Sequence, residues 1–312
     1  MFVYIIRRLM FMVPVLIGIT VLIFIIINLA PGDPVDAMID PSTMTSSANI
    51  EALKEKYGLN KPVYMRYLIW LKELLKGNLG YSYRNNEPVL DRILRRIGPT
   101  VQFAGLSVII AIIIGIPLGV ISAIKQYSLT DYSLTIFAFL GISIPGFFVG
   151  LLSIYIFSLK LDILPPYGIG PATLERFKFL ILPAFSLGWA RISGYLRYTR
   201  SSMLEVMNSD YITTARSKGL KERTVIFKHA LRNAMITLVT IISLQLKAVF
   251  GGSVIIETIF AIPGIGLLAM TAVTQRDYPV IMGVSLVIAM IVLLSNLIAD
   301  ICYAIVDPRI RY

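Results

Sequence analysis

The sequence predicts an all-α integral membrane protein with six transmembrane helices, on the basis of its composition, its long apolar runs and the placement of its basic residues. Of its 312 residues, 56% are hydrophobic and only 15% are charged, against about 45–50% and about 25% in an average globular chain. A soluble protein of this length would lack the polar residues needed to cover its surface, and a disordered chain would not be this apolar. The single cysteine, Cys302, excludes a small disulfide-stapled scaffold.

Six segments are long and apolar enough to cross the roughly 30 Å hydrocarbon core as helices, because a backbone in lipid must satisfy its own hydrogen bonds. The segments are residues 9–29, 100–124, 132–159, 179–196, 234–256 and 280–306. The first follows Arg7 and Arg8, but its apolar run exceeds the about 7–15 residues of a signal peptide, so we expect it to be retained. The third contains Pro145, and the fourth is the weakest because it contains Arg191.

Glycines in the second and third segments predict faces at which helices pack closely, since small residues let backbones approach one another. These are Gly105, Gly115, Gly119, Gly141, Gly146 and Gly150. The alternative is that glycine is simply frequent in membrane helices and has no packing role at a given position.

The basic residues predict which side of the membrane each loop occupies. With the N-terminus inside, the short inner segments carry 14 Lys and Arg residues and the short outer segments carry 4. The positive-inside rule therefore places both termini in the cytoplasm. The net charge of +11 is mostly this orientation signal, and we expect no nucleic-acid partner.

The spans and loops define the organisation of the chain. Residues 1–30 are the cytoplasmic N-terminus and first membrane helix, 31–98 an extracytoplasmic segment, 99–306 a five-helix core with the cytoplasmic loop 197–233, and 307–312 the cytoplasmic C-terminus.

The extracytoplasmic segment contains an amphipathic helix that begins after Pro62 and ends before Gly77. Its apolar face consists of Val63, Tyr67, Trp70, Leu71 and Leu74. This helix is either a docking platform for an external partner or a cap on the membrane surface or the helix bundle. The cap is favoured, because a helix that carries Trp and Tyr suits an interface.

The loop 197–233 predicts a short helix over residues 211–218 with defined ends. Asp210 is a good N-cap, and Gly219 suits the left-handed residue that follows a helix. Arg216 and Lys218 lie where cations stabilise a helix C-terminus. A second helix is expected to run from about residue 221 into the fifth span. A short capped helix on this side of a membrane bundle suits contact with a partner.

The residues of this loop carry a resemblance to a known family. Tyr211, Ala215 and Gly219, followed by residues 229–234 (His-Ala-Leu-Arg-Asn-Ala), resemble the cytoplasmic "EAA" loop of ABC-importer permeases. More narrowly, the whole chain resembles the B-type permease subunit of oligopeptide and dipeptide importers. Further stretches match in order, at residues 30–34, 57–59, 251–254 with 257 and 263–266, 276–279 and 307–309.

The chain departs from the family pattern in three places. Thr213 and Thr214 replace the first two name residues of the loop, and Thr237 stands where a proline is usual. Lys247 lies outside the pattern. Capping and the glycine stop are retained, so the first two departures leave the docking prediction intact, whereas Lys247 could alter the translocation path.

The resemblance implies a six-helix importer permease of the prokaryotic inner membrane, with a second permease subunit, two ATP-binding subunits that hold ATP and Mg²⁺, and an external solute-binding protein as partners. The loop helix would seat in a cleft of an ATP-binding subunit. The coupling residues are Asp210, Tyr211, Thr213, Thr214, Ala215, Arg216, Gly219, Arg232 and Asn233. Candidates for the translocation path are Gln245, Lys247, Gly251 and Gly252, and contact with the second permease subunit is the alternative for Lys247.

The sequence contains no catalytic or cofactor motif of its own. It has neither a G-x-x-x-x-G-K-[ST] phosphate loop nor a G-x-S-x-G elbow, and one histidine and one cysteine cannot make a His/Cys zinc cluster. We therefore expect a permease without catalytic residues, metal or cofactor. The alternatives are a permease for a nickel chelate or another small solute, a secondary transporter or channel acting alone, and, most remote, a membrane-embedded enzyme.

Overall fold

The computed structural model describes residues 2–29, 51, 54–55, 58–246 and 253–306, without the side chains of residues 2–5, 243–246, 299 and 302–306. Within these ranges the regular secondary structure is helical, apart from one isolated β-bridge between Tyr81 and Pro88, and turns and loops join the helices. Five helices are long and apolar enough to cross a membrane, and a sixth span results if one bent pair of helices is counted as one. The prediction of an all-α membrane protein is thus confirmed.

The chain forms two compact units. The first comprises residues 1–98 and 263–294, and the second comprises residues 99–262 and 295–311. Two long helices, α3 (Val89–Ile124) and α12 (Tyr278–Val306), each contribute residues to both units.

The first unit is built from α1 (Phe2–Leu29), α2 (Val63–Leu75), the beginning of α3, α11 (Ile265–Thr274) and the beginning of α12. Helix α2 is the amphipathic helix that the sequence predicts. It contacts α1, because the Tyr67 hydroxyl lies 2.9 Å from the Thr20 hydroxyl and the Tyr67 ring packs edge-on against Phe24. Val63 is 48% exposed and does not belong to the packed face.

Helix α11 lies between the fifth and sixth predicted spans, in residues 257–279, for which the sequence predicts a short outer loop. At ten residues it is too short to cross a bilayer. Its apolar side is buried through Ile265, Leu268 and Ala272, which pack with Val89 and Ile93 of α3. A short apolar helix can therefore form in a connecting segment when one of its faces packs against buried apolar side chains.

A buried polar cluster fixes the loop between α2 and α3. Asp277 is 1% exposed and accepts hydrogen bonds from the Ser82 hydroxyl at 2.5 Å and the Tyr83 N–H at 3.0 Å. Arg92 donates to the same Ser82 hydroxyl at 2.7 Å and lies 3.4 Å from Asp277. The carboxylate therefore has three donors, and a buried charge that is satisfied in this way holds its surroundings in one geometry.

The second unit follows the order α4 (Leu129–Ser143), α5 (Gly146–Ser153), α6 (Arg176–Met207), α7 (Asp210–Ser217), α8 (Glu222–Thr224), α9 (Leu231–Leu246) and α10 (Ser253–Ile259), after the second part of α3. A π-helical segment, Ile154–Lys160, continues α5, and another, Val225–Ala230, joins α8 to α9. Helix α6 packs against α4, α5, α9 and α10, so it is the central helix of this unit.

The third predicted span is not one straight helix. Helices α4 and α5 meet at an angle of 105°. The break occurs at Ile144, whose backbone is extended (φ −86°, ψ 122°) and which precedes Pro145. A proline ring disfavours helical geometry in the residue before it, and this residue ends α4.

Glycines bring the helices of the second unit into backbone contact. A Cβ added to Gly115 would lie 2.7 Å from the Ile192 carbonyl oxygen, and one added to Gly119 would lie 2.6 Å from the Leu196 carbonyl oxygen. A Cβ added to Gly141 would overlap the Ser193 side chain, and one added to Gly146 would lie 2.8 Å from the Ser186 carbonyl oxygen. One added to Gly150 would lie 3.2 Å from the Phe260 ring and 3.3 Å from the Ser186 hydroxyl, which is tight but not overlapping. The packing prediction is therefore confirmed at these five positions. At Gly105 an added Cβ meets no described atom within 4 Å, which fits the alternative that this glycine has no packing role within the chain.

Gly119→Ala is expected to destabilise the protein by about 1–3 kcal/mol, because the added methyl group overpacks the contact between α3 and α6. Thermal unfolding of the detergent-solubilised protein measures this effect. Gly105→Ala is the matched control in the same helix and is expected to be neutral or slightly stabilising, since alanine favours helix and nothing described opposes it. Equal losses in both variants would contradict the packing account.

Candidate functional site

The short helix α7 is the principal candidate site, and its beginning differs from the prediction in one respect. Asp210 was expected to be the N-cap, which is wrong. Ser209 has the extended backbone of the cap (φ −82°, ψ 152°), and Asp210 is the first helical residue. The Ser209 hydroxyl donates to the Val206 carbonyl at 2.6 Å, so it closes the end of α6. Asp210 still stabilises α7, because an acidic residue in the first turn faces the positive end of the helix dipole.

The end of α7 has the predicted geometry. Gly219 has φ +75°, in the left-handed region that glycine adopts without strain. Its N–H donates to the Arg216 carbonyl at 2.9 Å, and the Lys218 N–H donates to the Thr214 carbonyl at 3.1 Å. These bonds satisfy carbonyls that the helix end would leave unpaired. The glycine thus sets a sharp stop and redirects the chain into α8.

Helix α7 has one buried face and one exposed face. Ile212 is 0% exposed and Ala215 is 7% exposed, three residues apart. Tyr211, Thr213 and Thr214 are exposed on the rest of the helix surface. The buried face therefore holds α7 to the rest of the chain, while most of the surface of this eight-residue helix remains available for contact with another protein.

The buried face joins α7 to the membrane helices. Ile212 and Ala215 belong to one apolar cluster with Met203 of α6 and with Val225 and Ile226 of the second π-helical segment. The same cluster extends along α3, α6 and α9. Because a closely packed interior transmits strain, a displacement of α7 would also displace the membrane helices that pack in this cluster. π-Helical turns are also frequently found at functional sites.

An ion pair closes the turn after α7. The Arg216 guanidinium donates to both carboxylate oxygens of Glu222, at 3.2 Å from Nε and 2.7 Å from Nη2. The hydrogen bonds to Glu222 raise the pKa of Arg216. Both side chains are exposed, so the pair contributes about 0–1 kcal/mol to stability. It links the last turn of α7 to the first residue of α8.

The remaining coupling candidates lie further along the chain. Arg232 and Asn233 are exposed in the first turn of α9, and the Asn233 amide donates to the His229 carbonyl at 2.8 Å. This bond is local to the helix. The predicted contact of these two residues with a partner stays a prediction.

The predicted translocation path is only partly described. Gln245 lies in the last turn of α9, where the structure describes the backbone alone. Lys247, Gly251 and Gly252 lie outside the described residues. The assignment of these four residues to the path therefore stays a prediction.

The sequence offers no local signal for an ion pair that the structure shows between Asp131, which is buried, and Arg200, which is 27% exposed. Arg200 of α6 donates to both oxygens of Asp131, at 2.7 Å from Nε and 2.8 Å from Nη2. Asp131 also accepts from the Ser122 hydroxyl at 2.5 Å and the Tyr127 N–H at 3.0 Å, and its side chain is 3% exposed. This carboxylate links α3, α4 and α6, and Arg200 lies seven residues before the end of the helix that leads into α7.

A second buried carboxylate lies on α10. Glu257 is 0% exposed and accepts a hydrogen bond of 2.8 Å from the hydroxyl of Thr100, which belongs to α3. In the sequence, Glu257 stands out only as part of a stretch that matches the family pattern. Ionisable groups within apolar helical bundles are functional candidates by default. Its hydrogen bond ties α10 to α3 within the second unit.

Residues 115–312 match the model of the family described as binding-protein-dependent transport system inner membrane component. Residues 1–104 match the N-terminal model of the same kind of membrane component. Together the two matches cover nearly the whole chain.

Curated relatives match over nearly the full length. The oligopeptide transport system permease protein AppB of Bacillus subtilis is 47% identical over 99% of both chains. The dipeptide transport system permease protein DppB of Escherichia coli K12 is 36% identical over 99% of this chain and 98% of that one. The glutathione transport system permease protein GsiC of Escherichia coli is 37% identical over 99% of both chains.

A solved structure shares the fold. The inward-facing MetNI methionine ABC transporter has a chain that aligns with 69% of this one and 96% of its own length, with a TM-score of 0.56 and 16% identity. At this identity the match supports the fold alone. The two family matches and the full-length relatives show more: the chain belongs to the family of inner-membrane components of binding-protein-dependent transport systems.

Proposed function

We propose that the chain is the permease subunit of an ATP-driven importer and that it translocates oligopeptides or dipeptides. The similarity of the chain, over nearly its full length, to permease proteins that are named for oligopeptide and dipeptide transport carries this proposal. A relative named for glutathione also transports a peptide, which is consistent with the same substrate class.

The other subunits of the proposed complex supply ATP hydrolysis, the second half of the pathway and delivery of the substrate. Two ATP-binding subunits hold ATP and Mg²⁺, a second permease subunit completes the pathway as a heterodimer, and an external solute-binding protein delivers the peptide. Both termini and α7 lie on the cytoplasmic side, in accord with the distribution of basic residues in the short loops. The chain itself binds no nucleotide.

Helix α7 is the proposed contact with an ATP-binding subunit. Its exposed residues Tyr211, Thr213 and Thr214 meet the partner, and its buried residues Ile212 and Ala215 hold it to the spans. Closure of the ATP-binding subunits can shift the permease between two conformations only if their contacts with α7 differ between the two. The spans then expose the substrate path alternately to each side of the membrane.

Purification of the tagged chain from native membranes tests the composition of this complex. The expected result is the recovery of ATP-binding subunits and a second permease together with it. Proteoliposomes that contain the complex and the binding protein should then take up labelled peptide when ATP is supplied on the cytoplasmic side.

Three outcomes would contradict the proposal. Purification without any ATP-binding subunit would contradict the assignment to an ATP-driven importer. Ion-driven uptake by the chain reconstituted alone would indicate a secondary transporter. If the partner binding protein carried a nickel chelate and no peptide, the importer would stand but the peptide assignment would fall.

A further inference from the structure

A cavity of about 280 Å³ lies between α4 and α6 in the second unit. Its wall is apolar and includes the buried residues Ala138 and Leu196 and the 60% exposed ring of Phe139. Four polar side chains line the rest: Thr135, Arg197, Arg200 and Ser201. The cavity therefore combines an apolar wall with a polar, basic rim.

Arg197 supplies the net positive charge of this rim. The charge of Arg200 is neutralised by Asp131, which binds it through both oxygens. Arg197 is exposed, lies 5.5 Å from the centre of the Tyr198 ring, and forms no ion pair with any residue that the structure describes. One uncompensated guanidinium at the edge of an apolar cavity matches a ligand that has a negative head and an apolar tail.

The exposed surface around the cavity has the composition expected of a lipid-facing helix near an interface. Tyr132, Ile136 and Phe139 are 56%, 60% and 60% exposed and lie on one side of α4. Arg197 lies ten residues before the end of α6, or about 15 Å along its axis. Tyrosines are enriched where membrane helices reach the headgroups, and basic pockets between helices on the cytoplasmic side suit anionic headgroups.

We propose that the α4–α6 cavity binds an anionic phospholipid of the cytoplasmic leaflet. The Arg197 guanidinium holds the phosphate, the hydroxyls of Thr135 and Ser201 lie within the same rim, and an acyl chain lies along Ala138, Phe139 and Leu196. The charge on Arg197 favours this occupant over a second protein subunit, because a phosphate above an acyl chain complements both the rim and the wall. The inference is independent of the transported substrate.

Native mass spectrometry of the purified complex, with phosphatidylglycerol and phosphatidylcholine added in turn, tests the proposal. The wild-type complex is expected to retain phosphatidylglycerol selectively. Arg197→Gln should weaken its binding by about fivefold, the effect of one basic residue near an anionic surface, and Arg197→Lys should restore most of it. Ser201→Phe should displace the lipid by filling the cavity while the charge is kept.

Arg223→Gln is the matched control, because it removes one exposed arginine of the same unit, on α8, at a position that does not line the cavity. Equal retention of both lipids, or equal loss in Arg197→Gln and Arg223→Gln, would overturn the proposal. If Arg197→Gln or Ser201→Phe released the second permease subunit instead of lipid, the cavity would be a subunit interface and the lipid site would be refuted.

Discussion

Gly219→Val is expected to lower ATP-driven uptake by about tenfold while the chain still inserts into the membrane. Gly219 has φ +75°, which a β-branched residue avoids. The left-handed conformation costs an L-residue about 1–2 kcal/mol, and about 1.4 kcal/mol is a tenfold change in an equilibrium. The strain will turn the chain after α7 and misplace the exposed face that meets the ATP-binding subunit. Uptake and ATP hydrolysis should be measured together in proteoliposomes.

Two controls separate coupling from general strain. Gly77→Val imposes the same strain in the first unit, since Gly77 has φ +82° and, like Gly219, has no described atom within 4 Å of an added Cβ. It should lower stability without uncoupling ATP hydrolysis from uptake. Gly219→Asn should retain most activity, because asparagine tolerates the left-handed region. Normal uptake by Gly219→Val would refute the coupling role of this turn.

Arg200→Ala is expected to cost about 3–5 kcal/mol of stability, the usual consequence of leaving a buried charge without its partner. Asp131, with a side chain that is 3% exposed, would keep only the Ser122 hydroxyl and the Tyr127 N–H as donors. The contact of α6 with α3 and α4 depends on this carboxylate. Thermal unfolding in detergent should show a lowered midpoint.

The exposed pair between Arg95 and Glu87 provides the matched comparison. It is 3.2 Å long with side chains 62% and 44% exposed, so Arg95→Ala should cost about 0–1 kcal/mol. Arg200→Lys should fall between the two, since lysine keeps the charge but cannot make the bidentate bond. If Arg200→Ala were as mild as Arg95→Ala, the buried pair would not hold the three helices together.

The spans could be predicted from the sequence because length and apolarity suffice for them, but the bend between α4 and α5 could not. Pro14, Pro99, Pro117 and Pro183 all lie inside helices. Pro145 alone of these five begins a new helix after a residue with extended backbone. Proline lowers the cost of a break, and tertiary packing decides whether the break occurs.

The candidate site was predictable where its signals are local. The stop at Gly219 and the length of α7 follow from capping rules that act within one helix. The N-cap was misassigned because Ser209 and Asp210 are both good caps and adjacent in sequence. The pair of Asp131 with Arg200 could not be predicted, because the two residues are 69 positions apart and only the fold brings them together.

Site-directed cross-linking from α7 tests the central claim most directly. In a Cys302→Ala background, Thr213→Cys places a thiol on the exposed face of α7, and Thr274→Cys places one on α11, which is expected on the outer side. With a short maleimide–benzophenone reagent, whose maleimide takes the introduced thiol and whose photoactivated ketone inserts into any nearby C–H bond, the account predicts a covalent product between Thr213→Cys and an ATP-binding subunit, and none from Thr274→Cys. Absence of that product from Thr213→Cys in an assembled, active complex would contradict the account.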